Sequence, residues 1–260
     1  MKLKEKVAIV TGGSRGIGFA TVKKFLEEGA TVVLTASRKE TAEKAVTQVK
    51  ESCPDTKVEG IWPDLSSLES VKESFAKIHE KYGRIDILVN NAGMSDSAPF
   101  TNYTEDLFEK VMDLNVKGVF HASRAVVDYM VEQGSGVILS TSSMVSISGQ
   151  AAGVAYPTSK FAVNGFTISL ARELGPKGIR VNAVAPGFFV NDRSRKILFA
   201  ADGNLSKRGE NIMNHTPMGR FGEAKELWGC VSWLLDDEKA GFVTGITVPV
   251  DGGFLAHSGI

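Results

Sequence analysis

The sequence predicts an α/β protein in which helices cover both faces of a parallel sheet. Short runs of β-branched residues alternate with amphipathic segments from one end of the chain to the other, which is typical of parallel strands connected by helices. The first run, Val7–Val10, is apolar throughout, as expected of a strand that is buried on both faces. The 260 residues fit one doubly wound domain spanning residues 1–260.

The composition favours an ordinary globular protein without an electrostatic preference for nucleic acid or membranes. Hydrophobic residues make up 43% and charged residues 23% of the chain, and 30 basic residues balance 30 acidic ones. No apolar run approaches the ~20 residues of a membrane span, and the amino terminus lacks a signal-peptide core. Cys53 and Cys230 are expected to be unpaired thiols, which predicts a cytoplasmic protein without a metal cluster.

A glycine-rich stretch follows the first predicted strand and precedes a helix predicted over 19–28. Such a turn directs backbone N–H groups and the helix dipole at a pyrophosphate. The spacing differs from G-x-G-x-x-G, and a plain tight turn is the alternative, but the position after the first strand favours phosphate binding. The predicted contacts are Gly12, Ser14, Arg15, Gly16, Ile17 and Gly18.

The end of the second predicted strand, over 31–35, indicates which nicotinamide cofactor is bound. An acidic residue about 20 positions beyond the glycines would bind the adenosine ribose, whereas an arginine would accept a 2′-phosphate. Here the acidic residue is missing, and Ser37 and Arg38 follow the strand, with Arg15 in the glycine loop. We therefore expect NADP(H) to be preferred and NAD(H) to be possible, unless both arginines are simply surface charges.

Two further strand ends supply candidate cofactor contacts. A third strand predicted over 57–62 leads to Asp64, which could bind the adenine amino group or cap the helix that begins near Ser67. A fourth strand predicted over 85–89 leads to two asparagines that suit a turn, or that could brace the sheet and border the cofactor. The candidates here are Asp64, Leu65, Asn91, Ala92 and Gly93.

The catalytic candidates centre on Tyr156 and Lys160, which lie four residues apart and so share one face of a predicted helix. An ammonium close to a phenol stabilises the phenolate, which lowers the phenol pKa from about 10 and allows proton transfer near neutral pH. Ser143 follows a strand-like run and could bind a substrate oxygen. A bare tyrosine–lysine pair on a surface helix is the alternative reading of this pattern alone.

A long helix predicted over 104–132 contains an irregular point. Asn115 and Gly118 are both unfavourable in the middle of a helix. One explanation is a kink that frees a backbone carbonyl to hold a water molecule.

Together these motifs resemble the short-chain dehydrogenase/reductase family, over nearly the whole chain. The resemblance implies a single domain with a seven-stranded doubly wound sheet, a nicotinamide cofactor and a homotetramer. It is carried by the glycine loop, Asn90 to Gly93, Ser143, Tyr156 with Lys160, Pro186 with Gly187, and Val250 to Gly253.

The resemblance also implies roles for individual residues. Tyr156 would be the general acid/base, and Lys160 would bind the nicotinamide ribose and lower the tyrosine pKa. Ser143 would polarise the substrate carbonyl, and Asn115 would hold a water in a proton relay. Pro157 is a departure from the usual pattern, although proline is tolerated in a first helical turn. Tyr156, Lys160, Pro186 and Gly187 would also contact the cofactor.

Residues 188–215 are expected to form a lid over the substrate pocket. Their basic excess suits an anionic substrate such as a sugar acid, although the charges could instead keep a mobile lid soluble. The charged residues are Arg193, Arg195, Lys196, Lys207 and Arg208 against Asp192, Asp202 and Glu210.

The substrate remains open between classes. Residues 215–222, 249–254 and 258–260 look similar to the mannonate and gluconate oxidoreductases of the family, whereas the first two thirds look similar to hydroxysteroid and 3-oxoacyl reductases. We predict an NADP(H)-linked oxidoreductase of a sugar-acid secondary alcohol or ketone, with 3-oxoacyl thioester and hydroxysteroid substrates as alternatives. A nucleotide-binding sensor without activity is disfavoured, because no catalytic position is missing.

Overall fold

The computed structural model describes residues 2–257, apart from the side chains of Asp192 and Arg193. Its centre is one all-parallel sheet of seven strands, as the family resemblance implied. The third and fourth strands are shorter than predicted, and Pro186 ends the sixth strand instead of following it. The strands are β1 (Val7–Val10), β2 (Thr31–Thr35), β3 (Val58–Ile61), β4 (Ile87–Asn90), β5 (Gly136–Thr141), β6 (Ile179–Pro186) and β7 (Thr247–Val250).

The strand order is β3-β2-β1-β4-β5-β6-β7, so the direction of winding reverses between β1 and β4. In such sheets a crevice opens at the carboxyl ends of the strands on either side of the reversal, and ligands bind there. The glycine loop follows β1, and Asn90 ends β4 with Asn91 directly after it, which puts both motifs at this crevice.

Helices connect the strands and cover the sheet. Among residues 2–257, no helix is long and apolar enough to cross a membrane, and no three His, Cys, Asp or Glu side chains are grouped to hold a metal ion. The helices are α1 (Gly16–Glu27), α2 (Lys39–Ser52), α3 (Leu68–Tyr82), α4 (Glu105–Met112), α5 (Gly118–Gln133), α6 (Val145–Ser148), α7 (Ala155–Leu174), α8 (Asp192–Leu198), α9 (Lys207–Asn214), α10 (Ala224–Leu235) and α11 (Asp237–Ala240).

Alternate residues of each strand enter two separate apolar cores. In β1, Ala8 and Val10 pack with α1, α2 and α10, whereas Val7 and Ile9 pack with α3, α5 and α7. This two-sided burial explains why β1 is apolar at every position. The cores hold the strands rigidly, so that the loops at their carboxyl ends are fixed at the crevice.

The helix predicted over 104–132 is interrupted by one π-helical turn, Asp113–Lys117, between α4 and α5. The N–H of Gly118 bonds to the carbonyl of Asp113, five residues back, where an α-helix would bond four residues back. Asn115 lies in this turn. The sequence therefore indicated the right position for an irregularity, and the structure shows that it is a widened turn.

Candidate functional site

The glycine loop offers an anion site at the amino end of α1. Arg15 precedes the helix with extended backbone and makes no side-chain cap, and the first turn carries no acidic residue. The first N–H groups of a helix have no partner within it, so those of α1 are available to a phosphate. Gly16 has φ +57, and a Cβ added there would meet nothing within 4 Å. These features fit the pyrophosphate of a dinucleotide.

The other two glycines serve close packing between loops. A Cβ on Gly18 would collide with the amide of Asn91 and the carbonyl of Gly12, and a Cβ on Gly12 would lie 2.8 Å from Ala92 Cα. Gly12, Gly16 and Gly18 were all expected to serve the turn and the phosphates. The structure shows that Gly12 and Gly18 also let the loop after β4 lie against the loop after β1.

Thr11 joins these two loops. Its Oγ1 accepts hydrogen bonds from the N–H groups of Asn91 (3.0 Å) and Ala92 (3.1 Å). Asn91 returns its side-chain amide to the carbonyls of Thr11 (3.0 Å) and Gly12 (3.2 Å). The predicted bracing role therefore belongs to Asn91. Asn90 points its amide to Ser123 on α5, at 3.0 Å.

The residues proposed to choose between cofactors lie at the end of β2. Ser37 and Arg38 are exposed, and Arg38 precedes α2 without capping it. Arg15 is also exposed. Neither guanidinium has a hydrogen bond or ion pair with the described part of the chain, so both are available to an incoming phosphate.

One alternative for Asp64 was wrong. The helix α3 is capped by Ser67, whose side chain accepts from the N–H of Ser70. Asp64 instead accepts from the hydroxyl (2.7 Å) and the N–H (2.9 Å) of Ser66, and these bonds lower the pKa of its carboxyl. The side chain of Asp64 is exposed, and the Leu65 carbonyl beside it contacts His121 Nδ1 at 2.8 Å.

Lys160 is a buried cation at the centre of the site. Its side chain is 5% exposed, and its Nζ donates to the carbonyl of Thr141, the last residue of β5, at 2.7 Å. Burial lowers the pKa of the ammonium to about 8. Within the described part of the chain, this bond uses one of its three donors. The other two fit a neighbouring ribose.

Tyr156 lies beside Lys160 as the spacing predicted, with 5.7 Å between the ammonium and the ring centroid. Ser143 is 8% exposed, two residues beyond β5. Its neighbour Ser142 joins the strand end to α7, because the hydroxyl of Ser142 lies 3.3 Å from the Lys160 carbonyl and 2.7 Å from Asn164 Oδ1. The structure thus brings the segment with Ser143 against the helix with Tyr156 and Lys160.

Asn115 is fully buried, and its side chain acts as a clamp. Its Oδ1 accepts from the N–H of Met94 (2.9 Å), and its Nδ2 donates to the Met94 carbonyl and to Ser159 Oγ, both at 2.9 Å. Ser159 in turn donates to the carbonyl of Tyr156 at 2.7 Å. Both amide protons of Asn115 are therefore used in hydrogen bonds within the protein.

Pro186 and Gly187 fasten the end of β6. The N–H of Gly187 donates to the carbonyl of Val250 at 2.9 Å, and a Cβ on Gly187 would lie 2.7 Å from Asp251 Cα. The Pro186 carbonyl accepts from the N–H of Met144 at 3.3 Å. The pair therefore connects β7 to the residue after Ser143, at the same edge of the sheet.

The segment predicted to form a lid contains α8 and α9, joined by a short bridge between Phe199 and Leu205. Its described cationic side chains do not converge on a site, and Arg195 lies over the ring of Phe199 at 5.1 Å. The side chains of Asp192 and Arg193, two charged residues of the predicted lid, are not among those that the structure describes. The others are exposed: Arg195, Lys196, Asp202, Lys207, Arg208 and Glu210.

The carboxyl-terminal motifs pack against one another. The N–H of Met218 donates to the carbonyl of Gly252 at 3.1 Å, and Arg220 forms a bidentate ion pair with Glu226. Residues 258–260 lie outside the described residues.

Two side chains at the start of α7, Asp96 and Tyr103, were not among the predicted site residues. Asp96 Oδ1 accepts from the N–H of Tyr156 at 3.0 Å, and the hydroxyl of Tyr103 donates to Asp96 Oδ2. Asp96 lies 60 residues before Tyr156 in the chain. The sequence signal that could have identified Asp96 was a carboxylate only three residues after Gly93.

The buried ammonium predicts a pH-dependent difference in stability between wild type and Lys160→Met. The folded-state pKa of about 8 lies below the ordinary 10.5, so the unfolded chain binds more protons between these values. Wild-type stability at this site therefore rises with pH through that window. We compare the free energies of unfolding as Lys160→Met minus wild type. This difference should fall by roughly 3 kcal/mol between about pH 7 and a pH above the ordinary lysine pKa of 10.5.

Urea unfolding at several pH values measures this difference. The exposed Lys177→Met is the control and should show no such trend. A constant difference for Lys160→Met would mean that the ammonium is not desolvated.

Three comparisons identify the family. Residues 6–198 match the short chain dehydrogenase model. The chain is 50% identical over 252 residues to a 3α-hydroxysteroid dehydrogenase of Mediterraneibacter gnavus, covering 97% of this chain and 98% of that protein. It is 38% identical over 255 residues to the 3-oxoacyl-[acyl-carrier-protein] reductase FabG of Thermotoga maritima, covering 98% and 100%.

A solved structure from Haemophilus influenza, assigned as a D-mannonate oxidoreductase and containing NAD, superimposes with a TM-score of 0.93. Its sequence is 31% identical, and the match covers 100% of this chain and 98% of that one. Because the family match spans most of the chain and the relatives align along nearly its whole length, this chain belongs to the short-chain dehydrogenase family and is an NAD(P)-dependent oxidoreductase of secondary alcohols or ketones.

Proposed function

We propose that this enzyme interconverts a hydroxyl and a ketone on a steroid ring. The observation that carries the proposal is the 50% identity, over nearly both whole chains, to a 3α-hydroxysteroid dehydrogenase. This differs from the sugar acid expected from the sequence.

The side chains next to the catalytic groups support an apolar substrate. Met94 is the residue clamped by Asn115, Met144 and Ile147 follow Ser143, and Phe188 follows Gly187. Phe188 packs edge-to-face on Phe254 at 5.5 Å. A steroid is largely apolar with few polar groups, and such ligands bind in clefts lined mainly by apolar and aromatic side chains.

A sugar acid is the second candidate. It is favoured by the structural likeness to the protein assigned as a D-mannonate oxidoreductase and by the resemblance expected from residues 215–222, 249–254 and 258–260. Binding a carboxylate would require a cation that faces the substrate. The described lid cations are instead exposed, which supports the alternative that they keep the lid soluble.

In the proposed mechanism the cofactor, when bound, supplies or accepts the hydride. The Tyr156 phenol transfers the proton at the substrate oxygen, and the Ser143 hydroxyl donates a hydrogen bond to the same oxygen. Lys160, with a pKa of about 8, is still mainly charged at neutral pH and stabilises the phenolate. The remaining N–H donors of Lys160 bind the nicotinamide ribose. The proton then moves through a water molecule that the backbone carbonyl of Asn115 holds.

The first test is a substrate panel measured by reduced-nicotinamide absorbance with each cofactor. We expect kcat/KM for a 3α-hydroxysteroid to exceed that for mannonate, gluconate and a 3-oxoacyl thioester by at least an order of magnitude. The 3β-epimer is the matched control, because it differs only in the direction of the reacting hydroxyl. Turnover of mannonate without turnover of steroids would replace the proposal with the second candidate.

We also propose that the enzyme prefers NADP(H). Arg38 and Arg15 are exposed guanidinium groups near the expected ribose position, and no carboxylate follows β2 at residues 36–38 to accept from a 2′-hydroxyl. Ser37 would add a hydroxyl contact to the phosphate. NAD remains possible, and NAD is bound in the similar structure from Haemophilus influenza.

Arg38→Ala should lower the ratio of kcat/KM for NADP(H) to that for NAD(H) by about 10- to 150-fold. The reason is that a charge-assisted hydrogen bond to phosphate contributes about 1.5–3 kcal/mol. Arg172→Ala, an exposed arginine on α7, is the control. The double change Ser37→Asp with Arg38→Ala should reverse the preference. Wild-type enzyme that prefers NAD(H), or an unchanged ratio in Arg38→Ala, would contradict the assignment.

A homotetramer is part of the proposal. Two groups of large apolar side chains are exposed on different parts of the chain, and a lone subunit would leave both in water. Two different self-complementary faces would build a tetramer with D2 symmetry. The two groups of exposed apolar side chains are Phe108, Phe120, Phe161 and Ile168 on α4, α5 and α7, and Trp233, Phe242 and Ile246 near the carboxyl end.

We also propose a cytoplasmic location, because both cysteines are free thiols.

A further inference from the structure

Asp96 is a buried carboxylate that the mechanism above does not use. It lies in the loop between β4 and α4, three residues after Gly93, and it is 7% exposed. Burying a carboxylate is unfavourable unless its oxygens accept hydrogen bonds. Both oxygens of Asp96 do so, from two different segments of the chain.

The first oxygen holds the residue that is proposed to transfer the proton. Asp96 Oδ1 accepts from the backbone N–H of Tyr156 at 3.0 Å. The carbonyl of Tyr156 is held as well, because Ser159 Oγ donates to it at 2.7 Å and Asn115 holds Ser159. The peptide groups on both sides of Tyr156 are therefore fixed by side chains.

The second oxygen accepts from the hydroxyl of Tyr103. Burial and this bond to Asp96 raise the pKa of the Tyr103 phenol to about 12, so the phenol stays protonated and remains a donor. Tyr103 thus holds the carboxylate that accepts from Tyr156 in the first turn of α7.

These contacts explain how the first turn of α7 tolerates Pro157. The first amides of a helix have no acceptor within it. Thr158 makes the first internal bond of this helix, to the carbonyl of Val154 at 3.2 Å. Pro157 has no N–H to satisfy, and the amide of Tyr156 bonds to Asp96. Asp96 thus supplies the acceptor that the Tyr156 amide lacks within the helix.

We propose that Asp96 and Tyr103 form a positioning pair that fixes the start of α7 and so holds the Tyr156 phenol in register with Lys160 and Ser143. The inference rests on the proposed role of Tyr156. Neither member of the pair touches the reacting atoms. The pair acts through the backbone of Tyr156, so its loss should reduce turnover without weakening cofactor binding.

The variants are chosen to separate positioning from general stability. Asp96→Ala removes both acceptors and should lower kcat by about 10- to 100-fold, because small misplacements of a catalytic group have effects of this size. The KM for the cofactor should stay within a few-fold. Asp96→Asn keeps one acceptor oxygen and offers an amide to the Tyr103 hydroxyl, so it should recover most of the activity. Tyr103→Phe should fall between these two variants.

Tyr82→Phe is the matched control. Tyr82 also donates to a carboxylate, Glu59 Oε2 at 2.9 Å, but at the β3 edge of the sheet, between α3 and β3. It should lose a comparable hydrogen bond without a change in kcat. A similar loss of kcat in Tyr82→Phe and Asp96→Ala would overturn the proposal, because general destabilisation would then explain both.

A double-mutant cycle with Tyr156→Phe gives the decisive comparison. If Asp96 acts by positioning the phenol, Asp96→Ala should have little further effect on the residual rate of Tyr156→Phe. Additive losses would overturn the inference. Near-normal turnover in Tyr156→Phe alone would instead reject the proposed mechanism. A large loss in Tyr156→Phe with no loss in Asp96→Ala would reject only the positioning pair.

Discussion

The site depends on one buried charge, the ammonium of Lys160. A cation in an apolar interior is tolerated only where fixed oxygen atoms surround it. Here the end of β5 supplies the Thr141 carbonyl at 2.7 Å, and the Tyr156 ring lies on the same helix face. The lowered pKa of Lys160 reflects the unfavourable burial, which persists in the free protein. Such a strained arrangement is expected where function requires a charge beside a phenol.

The surrounding loops are built so that this ammonium has space. A Cβ on Gly93 would lie 3.1 Å from Asn115 Oδ1 and 3.7 Å from Lys160 Nζ, so a larger residue would press on both groups. The π-helical turn puts Asn115 in reach of Met94 and Ser159. Bonds through Thr11 then tie this loop to the glycine loop. The cofactor crevice and the catalytic groups therefore form one connected hydrogen-bonded unit.

The sequence predicted features that depend on local spacing. The alternation of strands and helices gave the doubly wound sheet, and the four-residue spacing put Tyr156 beside Lys160, because both follow from backbone geometry. Features that depend on distant contacts were not predictable. The helix cap was a local feature left open between two readings: α3 begins at Leu68, so Ser67 directly before it is the cap, and Asp64 is not. Pro157 was recognised as unusual, but its explanation required Asp96, which only the fold brings to α7.

The stabilisation of the Tyr156 phenolate by Lys160 is tested most directly by titrating the phenol. Ultraviolet difference absorbance between wild type and Tyr156→Phe measures this ionisation. We predict that the wild-type phenol ionises well below the usual pKa of about 10. This ionisation should be missing in Tyr156→Phe and should move to higher pH in Lys160→Met. An ionisation near the usual value in wild type, unchanged in Lys160→Met, would contradict it.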